Sequence, residues 1–86
     1  MDFIRNNIDY PFEARRRGIQ GTVSVGFVIL NNGQIIGARV LNVADKSLSK
    51  EALRVVSLTQ KKWTPGKIEN NSVNSFILIP VTFKLQ

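Results

Sequence analysis

From Gln20 to Val43 the chain reads QGTVSVGFVILNNGQIIGARVLNV, two apolar stretches divided by an Asn-Gly pair. Asn-Gly is the preferred pair for a two-residue type I′ hairpin turn, because both central positions take positive φ. A turn at Asn32-Gly33 sets Phe27 across from Ala38, Val25 from Val40 and Ile29 from Ile36. One face is then wholly apolar, and its bulky ring meets the smallest partner. The other face pairs Ser24 with Leu41, Gly26 with Arg39, Val28 with Gly37 and Leu30 with Ile35. This second face is mixed, so it is expected to be only partly covered. A bulge near Gly37 is the feature that would most readily shift this register.

The flanking segments follow other periods. Phe3, Ile4 and Ile8 fit one face of a short helix over Asp2 to Ile8, which needs packing to persist. Pro11 suits a first helical turn, Glu13 to Arg17 extend it, and Gly18 closes it in a left-handed conformation. After Asp45, helical spacing puts Leu48, Ala52, Val55, Val56 and Thr59 on one side, with Lys50, Arg54 and Ser57 on the other. Ser47 or Ser49 is expected to cap this helix, with Glu51 in its first turn and Lys61 and Lys62 beyond its end. Pro65-Gly66 forces a turn, and IENNS reads as a polar loop.

The final run alternates, with Ile77, Ile79, Val81, Phe83 and Leu85 on one face and Phe76, Leu78, Pro80, Thr82 and Lys84 on the other. A right-handed crossover through the helix returns this run beside the first hairpin strand. The expected fold is α+β: a three-stranded antiparallel sheet in the order 2-1-3, one main helix on one face, and a short N-terminal helical segment. The last strand is an edge, as Pro80 requires, since proline gives a ladder no N–H. Its missing donor must point outward. Even-numbered residues from Phe76 to Lys84 should then direct their backbone groups outward, and odd-numbered ones should bond to the first strand.

Eighty-six residues make a single domain, 1–86, with a small core. No apolar run approaches the roughly 20 residues that span a bilayer, so the chain reads as water-soluble. Without Cys or His there is no structural zinc and no thiol or imidazole catalysis. Asp2, Asp9, Glu13, Asp45, Glu51 and Glu69 offer no pair at catalytic spacing, and no hydroxyl has a histidine base. Gly18, Gly21 and Gly26 do not make a phosphate loop, because no lysine-serine follows and a strand comes next. No enzyme activity, cofactor or metal is expected. Half of the net charge of +6 lies in Arg15, Arg16 and Arg17, which read as the solvated end of a helix or as an electrostatic docking patch. A small basic nucleic-acid-binding module is the weaker reading; Trp63 is placed in the core rather than on a stacking platform.

Tyr10-Pro11 followed by Ala14, then GIQGTVSVGFVILNNGQI, LSKEALRVV, KKWTPGK and IPVTFKL together resemble, in order and spacing, the C-terminal domain of the energy transducer TonB. The resemblance runs from about Phe3 to Leu85. It implies a periplasmic domain of an inner-membrane-anchored Gram-negative protein, with a membrane helix and a Pro-rich spacer ahead of it. Neither segment is in this chain, so it is expected to be the excised domain. It also implies partners: the Ton box and plug region of outer-membrane transporters, and, through the N-terminal part, ExbB and ExbD. A homodimer is a further option. In that family the Ton box adds as a strand to the domain's last strand, which implies a partner-binding set of Phe76, Leu78, Pro80, Thr82 and Lys84. The tyrosine-proline motif carries over as Tyr10 and Pro11, and the family's transporter-contacting position three before the tyrosine, often Gln, is Asn7. An alternative is a recognition module of the same type on another envelope protein, such as a membrane sensor peptidase. The sequence upstream of Met1 would separate the two.

Overall fold

A computed structural model describes residues 2–60 and 62–85; Lys61 lies outside them. The elements run α1 (Asp2–Asn7), α2 (Phe12–Arg16), β1 (Gly21–Ile29), β2 (Ile35–Val40), α3 (Lys46–Ser57), β3 (Gly66–Ile68), β4 (Asn71–Val73) and β5 (Ser75–Phe83). The main sheet has the order β2-β1-β5 and both pairings are antiparallel, so the architecture is the one expected. A second, two-stranded sheet joins β3 and β4.

Helix α2 ends as Gly18 dictates. Its φ of +69° lets Ile19 N–H reach Ala14 O at 2.8 Å and Gly18 N–H reach Arg15 O at 3.2 Å, the paired bonds of a Schellman close. Helix α3 is capped by Asp45 rather than by Ser47 or Ser49. The Asp45 carboxylate accepts from the N–H groups of Ser47 and Leu48 at 2.9 and 3.1 Å. Asp45 sits one residue outside the helix, where the backbone is still extended and a short acceptor reaches the orphan amides; both serines already lie beyond that point.

The helix buries Leu48, Ala52, Val55 and Val56 against Val23, Val25, Phe27, Ile29, Val81 and Phe83 of the sheet. Thr59, just past the helix, is buried with its hydroxyl doubly used: it donates to Val56 O and accepts from Trp63 Nε1 at 2.7 Å. That bond holds the indole 5.2 Å from the Phe27 ring, in the core position expected for it.

The hairpin register needs correction at the turn. The loop has three residues, Asn31-Asn32-Gly33: Leu30 N–H donates to Gln34 O at 2.7 Å, and Gly33 N–H to Leu30 O at 2.9 Å. Among the described non-glycine residues only Glu69 and Asn70 have positive φ, so Asn32 does not enter a type I′ turn, and Gly33 alone carries the left-handed step, at φ +88°. Asn32 and Asn74 hold the loop by accepting from Gln34 N–H and Asn31 N–H at 3.0 and 2.8 Å.

The extra loop residue pairs Ile29 with Ile35 and Val28 with Ile36. Ile35 therefore goes into the core at 4 % exposure and Ile36 outward at 48 %, the reverse of the expected facing. A bulge then sets Gly37 and Ala38 together against Phe27, with Gly37 at φ +68°. Beyond it Gly26–Arg39 and Val25–Val40 pair as read from the sequence. The segment read as a polar loop is the β3–β4 hairpin. Its turn residues Glu69 and Asn70, at φ +50° and +67°, take the two positive values a type I′ turn needs.

Candidate functional site: the outer edge of β5

β5 is a terminal strand, and hydrogen bonds on the far side of β1 settle which of its backbone groups face out. Ser24 O accepts from Leu41 N–H at 2.8 Å, and Ser24 N–H donates to Asn42 Oδ1 at 2.9 Å. Thr22 O accepts from Asn42 Nδ2 at 2.8 Å. Even-numbered residues of β1 thus turn toward β2, and odd-numbered ones toward β5. Since Ser24 pairs with Pro80 and Gly26 with Leu78, the even-numbered residues of β5 direct their N–H and C=O groups away from the sheet. Pro80 stands where its missing donor faces outward, as expected.

The side chains divide in the same alternation. Val81 and Phe83 are buried and Ile77 and Ile79 half-buried, whereas Phe76, Leu78, Pro80, Thr82 and Lys84 are exposed. Phe76 and Leu78, at 58 % and 55 % exposure, lie on the uncovered sheet face with Ile36 and Leu41. Phe76 and Leu41 close over Gly26, where a Cβ would come within 2.9 and 2.6 Å of them. Thr82 Oγ1 meets Thr22 Oγ1 at 3.2 Å.

Helix α1 flanks the edge. Ile4, Arg5 and Ile8 line a groove of about 240 Å³ together with Pro80, Val81 and Thr82. The helix is held in place from α3. Arg54 donates to Asn7 O at 3.0 Å and pairs with Asp9 at 3.4 Å and Glu51 at 2.7 Å, while Glu51 accepts from Asp9 N–H at 2.6 Å. The Arg54 hydrogen bond holds the Glu51 carboxyl below its usual range, and the same contact raises the Arg54 guanidinium. At Asp45 the Ser47 hydroxyl, followed by the Leu48 amide, likewise lowers the carboxyl.

The other residues singled out from the sequence are spread around this edge. The Asn7 side chain is exposed at the end of α1 and folds back onto Phe3 O at 2.8 Å. Tyr10 is engaged within the domain: its hydroxyl donates to Ile19 O, its ring meets Phe83 edge-on at 5.6 Å, and Arg15 lies 5.1 Å over it. Pro11 is half-buried as the N-cap of α2. Arg15, Arg16 and Arg17 are exposed, each with a local interaction: Arg15 on Tyr10, Arg16 with Glu13 at 3.0 Å, and Arg17 with the charge of Asp45. Sequence reasoning did not single out Ile4 and Ile8 as a wall of the edge groove, although their i, i+4 spacing was visible. It also missed Gln60, whose side chain bonds Ile35 on the opposite edge.

Fold and edge together define a small α+β domain whose terminal strand offers a regular, interrupted-once backbone to solvent. The chain belongs to the Gram-negative bacterial TonB protein C-terminal family, whose family model matches residues 6–85. It is similar to the solution structure of the Helicobacter pylori TonB C-terminal domain (residues 179–285), with a TM-score of 0.81 and 26 % identity over 99 % of this chain and 76 % of that one. A shorter form of the same domain (residues 194–285) gives 0.74 and 25 %, covering 96 % and 86 %. No curated protein sequence matches significantly.

Proposed function

We propose that this is the periplasmic protein-binding domain of a TonB-type energy transducer. It docks the Ton box of outer-membrane transporters by strand addition to β5, and couples the inner-membrane proton gradient, through ExbB and ExbD, to uptake of a nutrient such as a siderophore, vitamin or glycan. The observation that carries this reading is the outward direction of the Phe76, Leu78 and Thr82 backbone groups on a terminal strand. An extended peptide lying along that edge gains main-chain hydrogen bonds, and alternate side chains meet the apolar outer face and the α1 groove. Family membership supports it further. Arg15, Arg16 and Arg17 supply attraction to an acidic periplasmic surface rather than individual bonds.

Titrating the isotope-labelled domain with a Ton-box peptide tests it. The amide signals of Leu78 and Thr82 should shift and their hydrogen exchange should slow. Shifts confined to β2 or to α3, or equal shifts with a scrambled peptide, would sink the assignment.

A further inference from the structure

The sheet has two terminal strands, and they are treated differently. We propose that Gln60, with the bulge at Gly37, closes β2 against pairing with β2 of a second copy of this chain, leaving the main sheet a single usable edge. The inference concerns β2 alone and stands whatever docks on β5.

Gln34 O points into the hairpin, where it accepts from Leu30 N–H, so strand alternation turns the N–H and C=O of Ile35 to the outer side. Both are taken by one side chain: Gln60 Oε1 accepts from Ile35 N–H at 3.0 Å, and Gln60 Nε2 donates to Ile35 O at 2.9 Å. A primary amide carries a donor and an acceptor side by side, the pattern that a residue of a neighbouring strand would present. Gln60 stands just past α3, whose packing on the sheet fixes where the amide can reach.

The next outward position along β2 falls in the bulge. There Gly37, at φ +68°, throws the strand out of straight register. A second strand therefore meets an occupied site and then a bend. β5, by contrast, keeps register with β1 over nine consecutive pairs. Occupying or bending an edge is how sheet proteins avoid unwanted edge-to-edge pairing.

The bulge can be removed without changing which residues face the core. Deleting Gly37 leaves Ala38 alone opposite Phe27, between the existing Val28–Ile36 and Gly26–Arg39 pairs. The test uses Gln60→Ala, the Gly37 deletion and the two combined. Hydrogen exchange of the Ile35 amide and sedimentation velocity are read for each. In Gln60→Ala, Ile35 exchange should quicken by about fivefold, the equivalent of one lost hydrogen bond. The combined variant should show concentration-dependent dimers that persist when Leu78→Pro is added, because β5 takes no part in them.

Unchanged Ile35 protection in Gln60→Ala would overturn the role of the clamp, and this readout does not depend on the deletion folding. A folded, strictly monomeric combined variant would overturn the role of the edge, as would dimers that vanish with Leu78→Pro.

Discussion

Proline placed at Leu78 and at Ile79 should separate docking from folding within two adjacent residues. Leu78 turns its N–H outward, so proline there removes no bond of the sheet, and edge strands tolerate it. Ile79 pairs with Val25, which is wholly buried, and its N–H faces β1. Proline at Ile79 deletes that bond and leaves a buried acceptor unpaired, a loss of about 2 to 4 kcal/mol. A chain of this length has a total stability of about 4 to 13 kcal/mol, so Ile79→Pro should lower Tm by about 10 to 20 °C or unfold the domain. Leu78→Pro should leave Tm within a few degrees, about the scatter of a surface change. It should still weaken Ton-box peptide binding about fivefold or more, since one docking bond of about 1 kcal/mol is lost. Leu78→Ala keeps the N–H and controls for the side chain. Calorimetric titration and thermal unfolding of the three variants give both readouts. Equal loss of Tm at 78 and 79 would refute the assignment of backbone direction, and undiminished binding by Leu78→Pro would refute docking at this edge.

Three further outcomes follow from contacts inside the domain. Thr59→Val leaves Trp63 Nε1 without its acceptor and should cost about 1 to 2 kcal/mol in urea unfolding; the single tryptophan reports it directly, and an unchanged midpoint would count against that bond. Tyr10→Phe removes the hydroxyl bond to Ile19 O and should lower Tm by about 4 to 8 °C, a loss of about 1 kcal/mol, in calorimetry. Asp45 and Glu51 have carboxyls lowered in the folded state, so their stabilisation is complete above the unfolded carboxylate range near about pH 4 and is lost as pH falls through the lower folded values. Thermal unfolding from neutral to acid pH should show this loss, and Asp45→Asn with Glu51→Gln should flatten it; an equally steep acid limb in the double variant would contradict it.

Strand order, the amphipathic α3 and the facing of β5 were legible because each follows from a period of two or 3.6 over many residues, where single exceptions average out. Pro80 was legible for a different reason: a missing donor has only one tolerable direction on an edge. The hairpin turn was misread because Asn-Gly serves both a two-residue turn and the end of a three-residue loop. One of the two side chains that hold the longer loop is Asn74, 43 positions from the amide it accepts from. The bulge at Gly37, the place the sequence marked as most apt to shift the register, compensates that extra residue, and the pairing returns to the expected one beyond it. Glu69-Asn70 lacks the glycine that advertises a type I′ turn, and β3–β4 passed as a loop. Gln60 acts on a strand 25 residues away and carries no local pattern.

In the proposed transducer, the Tyr10 contacts bear on how load is carried. A pull on the amino-terminal end meets two joints in turn. The first is the Arg54–Glu51 cluster, which hands tension at Asn7 and Asp9 to the long helix. The second is Tyr10, which couples the chain to Ile19 ahead of β1 and to Phe83 at the end of β5. Tension passing the second joint follows the backbone through Ile19 into β1 at Gly21, the partner of Phe83, and runs along the strand axis, so in the proposed docking a strand bonded to the outer edge of β5 is loaded in shear, with its hydrogen bonds strained together. A pull across the strand would instead break them one after another from Thr82.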